Sequence, residues 1–234
     1  MRPNVNRRAL GRLVAIEGID GSGKRTQMDL LHAIIAAGEG GQSVYSTAFP
    51  QYDSWFGKMV GQFLNGDFGP LDSVDPHFTA LLYAGDRFEF KPRLESALQG
   101  GKIVLVDRYI GSNLAHQTAR VAPEKRTEFR RWIEHLEYGI YDLPREAQRL
   151  VAKKSARVYT TAKQDILEAS LRHLEQAADM YDLLALEAPW VTIECFDAAR
   201  GAMRSPKEIA QDVLAAVNKV TSTQVVRDSG AGGG

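Results

Sequence analysis

Gly18-Ile19-Asp20-Gly21-Ser22-Gly23-Lys24-Arg25-Thr26 decides how this chain folds. An apolar run, Leu13-Val14-Ala15-Ile16, precedes it and reads as a buried strand. Gln27-Met28-Asp29-Leu30-Leu31-His32-Ala33-Ile34-Ile35 follows, with apolar residues recurring at helical spacing. Strand, glycine-rich turn, lysine and helix together spell a phosphate-binding loop. Glycines let backbone N–H groups curl around an anion, the helix N-terminus adds partial positive charge, and Lys24 reaches the outer phosphates. One position departs from the pattern. A Ser or Thr whose hydroxyl binds Mg²⁺ is expected after the lysine; Arg25 stands there, with Thr26 next. Arginine has no lone pair to give a metal. Either Mg²⁺ is held by carboxylates and water, or the loop has lost that chemistry. The Arg25 guanidinium can instead grip phosphate oxygens.

A second strong signal is Lys102-Ile103-Val104-Leu105-Val106-Asp107-Arg108-Tyr109. Four apolar residues ending in an aspartate form a buried parallel strand that delivers a carboxylate to its C-terminal edge, where α/β proteins bind ligands. Ser43–Thr47 reads as another strand. Helices are expected near 57–64, after the Asp75-Pro76 cap, at 92–98, 112–120 and 124–138, and, from capping-box spelling, at 165–186 and 205–217. Phe129, Trp132, Ile133 and Leu136 stripe one helix face, as core or as a dimer surface. Strands alternating with helices imply a mostly parallel sheet of one α/β domain, residues 12–220. A basic tail at 1–11 and a Gly-rich tail at 221–234 are expected to be disordered.

Bulk composition excludes several classes. Lys and Arg total 29 and so do Asp and Glu, so no global basic field exists for nucleic acid. No apolar run approaches the roughly 18 residues of a membrane span. Cys195 is the only cysteine, in a strand-like segment, which fits a buried thiol in a reducing, cytoplasmic compartment.

Ala15-Ile16-Glu17 before the loop, Phe49-Pro50, Asp86-Arg87, and Asp107-Arg108-Tyr109 with Ser112-Asn113 together resemble the thymidylate kinase family. The order and spacing hold over residues 13–120 and continue more loosely to 217. The resemblance implies a P-loop nucleoside-monophosphate-kinase fold: about five parallel strands covered by helices on both faces, a mobile lid, and usually a homodimer. It implies transfer of the ATP γ-phosphoryl to dTMP, with Mg²⁺. On this resemblance Gly18, Asp20, Gly21, Ser22, Gly23, Lys24, Arg25 and Thr26 bind the donor phosphates, and Lys24 bridges the β and γ groups. Asp20 reaches the sugar 3′-hydroxyl or a metal-bound water, with Asp107 near the Mg²⁺ water shell. Arg108 holds the dTMP phosphate, Arg87 a thymine carbonyl, and Tyr83 stacks on the ring. Asn113 reads N3–H and a carbonyl. Phe49 and Tyr52 line the pocket, and His116 and Gln117 pack against the deoxyribose. Lys153, Lys154 and Arg157 of a lid at about 153–164 stabilise the migrating phosphoryl charge. Lys24, Arg108, Asp20 and Arg157 are thus the expected catalytic set.

A second departure concerns Glu137-Tyr138-Gly139-Ile140-Tyr141-Asp142-Leu143-Pro144-Arg145-Glu146. Read against the family, it runs from helix almost directly into the turn that follows an internal strand. Ile140 to Leu143 would be all that remains of that strand, about 13 Å of chain. The rival readings are a P-loop kinase for another nucleoside or nucleotide, and a non-catalytic nucleotide-binding homologue.

Overall fold

The computed structural model describes residues 10–37, 43–153, 166–167 and 170–228. Its five-stranded sheet has the order β2-β3-β1-β4-β5, with every neighbouring pair parallel. The strands are β1 (Arg12–Glu17), β2 (Val44–Ala48), β3 (Ile103–Asp107), β4 (Gln148–Lys153) and β5 (Trp190–Glu194). The helices are α1 (Lys24–Ala37), α2 (Trp55–Asn65), α3 (Pro76–Gln99), α4 (Ile110–Thr118), α5 (Arg126–Glu134), α6 (Leu171–Leu184) and α7 (Pro206–Asp228).

Alternation along β1 builds two cores at once, because successive side chains point to opposite faces. Leu13 and Ala15 join Val104, Val106, Leu94, Ile110, Leu114, Ile133 and Met180 on one face. Val14 and Ile16 join Leu105, Leu150 and Ile193 on the other, against Met28 and Leu31 of α1 and Ile209, Val213 and Val217 of α7. The Phe129, Ile133 and Leu136 stripe belongs to the interior of the single chain, with Trp132 packed at its margin. The helix after β1 leads to β2 at one edge, while the path from β3 leads to β4 on the other side of β1. The chain therefore diverges between the C-terminal ends of β1 and β3, the place where open α/β sheets bind ligands.

Glycine is required where α4 meets this edge. A Cβ on Gly111 would lie 2.6 Å from the Trp190 ring and 2.7 Å from Glu17 Oε1. Gly111→Ala is expected to destabilise the fold by about 1–3 kcal/mol through overpacking. Urea unfolding reads this directly; a variant as stable as the parent would show that the contact relaxes freely.

Four expectations from the sequence are corrected. The helices expected on either side of Pro92 are one continuous α3, with Pro92 inside it. Asp75 caps this helix, accepting from the His77 N–H at 2.6 Å. The helix α6 begins after Ser170, whose hydroxyl accepts from His173 N–H, and not at 165. The helix α7 opens with the expected reciprocal cap, Ser205 N–H to Glu208 at 2.7 Å and Glu208 N–H to Ser205 at 3.3 Å. It then runs past 217 into the segment expected to lack structure.

The fourth correction is the largest. The segment 140–143 is not a strand. His135–Ile140 is a widened, π-helical turn continuing α5, and the strand is β4, six residues long, paired to both β1 and β5. Leu143-Pro144 therefore lies before the strand. The strand escaped notice because Arg149 interrupts its apolar pattern. That arginine is tolerated because Glu146 accepts from its Nε at 2.9 Å and the Tyr138 hydroxyl accepts from its Nη2 at 2.5 Å. A paired, hydrogen-bonded charge can be buried where a lone one cannot.

Candidate active site

The loop between β1 and α1 holds its shape through Gly18, Gly21 and Gly23, at φ of 133°, 70° and 87°. Side-chain-bearing residues avoid this region. Lys24 opens α1, and its Nζ donates back to Gly18 O at 3.1 Å and Ile19 O at 3.0 Å. Burial, reinforced by the nearby Arg108 charge, pushes its pKa down to about 8, against the pull of Asp20 and Asp107. The ammonium is thus tethered over the mouth of the loop and only weakly solvated.

Across the divergence point, Arg108 follows β3 at φ 61°, an uncommon conformation for a residue with a side chain. Such positions cluster where function over-determines the backbone. Its N–H is held by Ile16 O at 3.0 Å. Its guanidinium donates to Asp20 in a short ion pair, to Ser112 Oγ at 3.3 Å, and sits 3.4 Å from His116 Nε2. Burial alone would raise the Asp20 carboxyl; Arg108 and Lys24 outweigh it and hold the pKa at about 2. Glu17, fully buried at the end of β1, supports this corner from below. It accepts from Tyr109 N–H at 2.9 Å and Ser112 Oγ at 2.6 Å. Burial raises its pKa.

Beside Arg108 opens a cavity whose wall contains every residue expected to hold dTMP: Asp20, Phe49, Tyr52, Tyr83, Arg87, Arg108, Asn113, His116 and Gln117. Asp20 belongs both to this wall and to the phosphate loop, so the cavity adjoins the loop. Phe49 packs edge-on to Phe90 at 5.5 Å, which fixes the floor. The Phe49-Pro50 bond is cis, and the following Gln51 N–H donates to Asp86 at 3.0 Å, as does Ser54 Oγ at 2.9 Å. Asp86 therefore ties the Phe49-Pro50 loop to α3. Tyr83 meets Phe63 edge-on. Gln117 Oε1 accepts from Thr79 Oγ1 at 2.7 Å and Arg120 Nη1 at 2.9 Å. His116 is buried, and burial together with Arg108 holds its pKa well below the usual histidine range.

The deep end differs from expectation in its details. Arg87 is fully buried, its Nε and Nη2 donating to the two oxygens of Glu137 at 2.6 and 2.7 Å. Asn113 Nδ2 donates to Ala80 O at 3.1 Å and Glu137 Oε1 at 2.8 Å. Both amide protons are committed within the protein. The side chain keeps one unpartnered polar atom, the buried Oδ1. It can accept from a base N–H but has nothing left to donate to a carbonyl.

A model of the thymidylate kinase family matches residues 16–193. The chain belongs to the thymidylate kinase family. A thymidylate kinase of Mycobacterium tuberculosis is 32% identical over 145 residues, covering 62% of this chain and 66% of that protein's length. A probable thymidylate kinase of Pyrobaculum aerophilum is 32% identical over 215 residues, covering 88% and 96%. The crystal structure of thymidylate kinase from Ehrlichia chaffeensis superimposes with a TM-score of 0.65 at 19% identity, covering 89% of this chain and 98% of that one. That structural likeness gives the fold, the P-loop nucleoside-monophosphate-kinase architecture of thymidylate kinases.

Within this thymidylate-kinase frame, Arg25 and Asp107 fall on a different cleft, between α1 and β2, shared with Thr47 and Asp29. Arg25 is largely exposed and pairs with Asp29 at 3.4 Å, one helical turn on. Thr26 is exposed as well. Asp107 Oδ1 is buried without a partner, an acceptor suited to a hydrated cation. Among the described residues no group of three acidic, histidine or cysteine side chains could cage a metal by itself. Of the expected lid residues, Lys153 ends β4, while Lys154 and Arg157 lie outside the described residues. No helix among the described residues is long and apolar enough to cross a membrane.

Sequence reasoning missed Glu137 as part of this site and did not assign Glu17 a role. Glu17 carries a signal, a carboxylate closing an apolar strand. Glu137 carries almost none, since a Glu in a polar-patterned helix reads as a solvated side chain.

Proposed function

We propose that this chain transfers the γ-phosphoryl of ATP to dTMP, giving dTDP and ADP. One observation carries the reading: the cavity beside Arg108 gathers the full set of side chains suited to a thymine nucleotide and shares Asp20 with the phosphate loop. Phosphoryl transfer needs positioning and charge neutralisation more than covalent chemistry. Lys24 brings its cation to the donor phosphates, and Arg108 brings a fixed one to the acceptor phosphate. Asp20 keeps Arg108 aimed, and Glu17 with Ser112 braces the backbone behind it. Phe49 and Tyr83 offer apolar and aromatic surface to the base. The unpartnered Oδ1 of Asp107 would hold an Mg²⁺ ion through water, and that ion would supply charge neutralisation at the donor phosphates. Lys153, Lys154 and Arg157 would add lid cations.

The deciding assay is ADP release with ATP, Mg²⁺ and dTMP, beside dUMP and a no-acceptor control. Release that requires dTMP supports the reading. Its absence from folded protein removes it.

The Lys24 pKa gives a pH prediction. A lysine held at about 8 is charged below that pH and neutral above it. Because kcat/KM reports groups of the free enzyme, kcat/KM for ATP should fall as pH rises through about 8. A profile flat through about pH 9 would remove Lys24 as the titrating group.

Phe78, Leu81 and Phe88 leave an exposed apolar stripe on α3, which supports a homodimer; light scattering that finds only monomer at assay concentration would exclude it. Cys195 is buried and is the one cysteine of the sequence, so no disulfide forms within the chain, which supports a reducing, cytoplasmic setting.

A further inference from the structure

Glu137 is completely buried, yet it lies fifty residues from Arg87 and twenty-four from Asn113, the two polar side chains it holds. Oε2 accepts from Arg87 Nε at 2.6 Å, and Oε1 accepts from both Arg87 Nη2 at 2.7 Å and Asn113 Nδ2 at 2.8 Å. Both oxygens face N–H donors. The second Asn113 partner, Ala80 O at 3.1 Å, is also an acceptor only. Turning the Asn113 amide over would set its oxygen against two acceptors and strand its buried NH₂. The network thus fixes which end of the amide is which. Oδ1, unpartnered and buried, is left as the reading atom of Asn113. The widened turn at His135–Ile140 makes this possible, because Leu136, Glu137 and Tyr138 are all buried in succession. Turns of this kind recur at functional sites.

We infer that Glu137 is the specificity-determining positioning residue of the base pocket: it locks Asn113 as a hydrogen-bond acceptor and so selects a pyrimidine that carries N3–H. Thymine and uracil present a donor at N3. Cytosine presents an acceptor there, which would face Oδ1 lone pair to lone pair. A buried polar group left unpaired in this way is what gives hydrogen-bonding sites their strong rejection of the wrong partner. The inference rests on the reading of the cavity as a thymine-nucleotide site.

The test compares kcat/KM for dTMP and dCMP in the full chain and in Glu137→Gln. The glutamine amide can donate, which removes one of the two acceptors that hold the Asn113 NH₂ and lets the amide turn to offer that NH₂ to the base at the cost of the bond to Ala80 O. The dTMP:dCMP preference is expected to fall by at least about tenfold. A residue needed only for packing would lower both substrates alike and leave the ratio intact. Glu137→Asp keeps a counter-charge near Arg87 but is one methylene too short to serve both partners, and should narrow the ratio too. An unchanged ratio in a folded variant overturns the inference while leaving dTMP phosphorylation standing. A wild type that fails to phosphorylate dTMP overturns both. Should neither variant fold, NMR of the unaltered protein decides. The Asn113 side-chain NH₂ should be protected from exchange without nucleotide and should move little when dTMP is added. Rapid exchange or a large shift would refute the assignment.

Discussion

Lys24→Ala is expected to lower kcat by roughly 10²–10³-fold, the usual effect of deleting one preorganised cation or donor from a transition state. Affinity for dTMP should change by less than about twofold, because the proposed function assigns that substrate to Arg108 and the far cavity. The asymmetry follows from placement. Lys24 Nζ hangs over the loop carbonyls of Gly18 and Ile19, on the donor side, while the acceptor cavity is walled by Arg108 and the residues beyond it. Single-turnover kinetics with an independent dTMP binding measurement separates the two quantities. An alanine variant that keeps its turnover would sink the assignment of the loop as the donor site. One that loses dTMP binding equally would place Lys24 in the wrong half of the site.

Arg87→Met is expected to destabilise the protein by about 3–5 kcal/mol, since it leaves the Glu137 charge buried with no counter-ion. The pair is 2% and 0% exposed, so water cannot compensate. Burial and the Glu137 charge pull the Arg87 pKa in opposite directions, and the result is raised. Removing both charges in Arg87→Met/Glu137→Met should restore much of the loss, because a well-packed apolar pair can match a buried ion pair. Chemical denaturation of the two singles and the double yields the coupling energy. A single substitution costing under about 1 kcal/mol would mean that water reaches the pair. The double variant is also expected to bind dTMP poorly even where stability returns, since Arg87 and the fixed Asn113 amide are lost together.

Legibility tracked distance along the chain. The phosphate loop was readable because its glycines, its lysine and the helix it opens are contiguous. The strand Ile103–Asp107 was readable because both its faces are covered, which leaves an unbroken apolar run. The caps at Asp75 and Ser205 were readable because a cap is a contact across two or three residues. The strand Gln148–Lys153 was not, since its internal place in the sheet puts Arg149 in the interior, where the Arg149–Glu146–Tyr138 cluster neutralises its charge. The site divides in the same way. Which residues line the cavity was legible from motif positions. What each has left to offer a ligand was not.

By itself, then, the sequence determined the donor loop, the two strands that end at the site and the residue types that face it. These follow from local spacing, backbone freedom at glycine and the burial of continuous apolar runs. Tertiary structure alone decided that Arg87 is paired, that Asn113 presents only its oxygen, and that Glu137 governs both. Those facts depend on which groups meet across fifty residues of chain, and a hydrogen-bonding side chain shows its free valence only once its partners are in place.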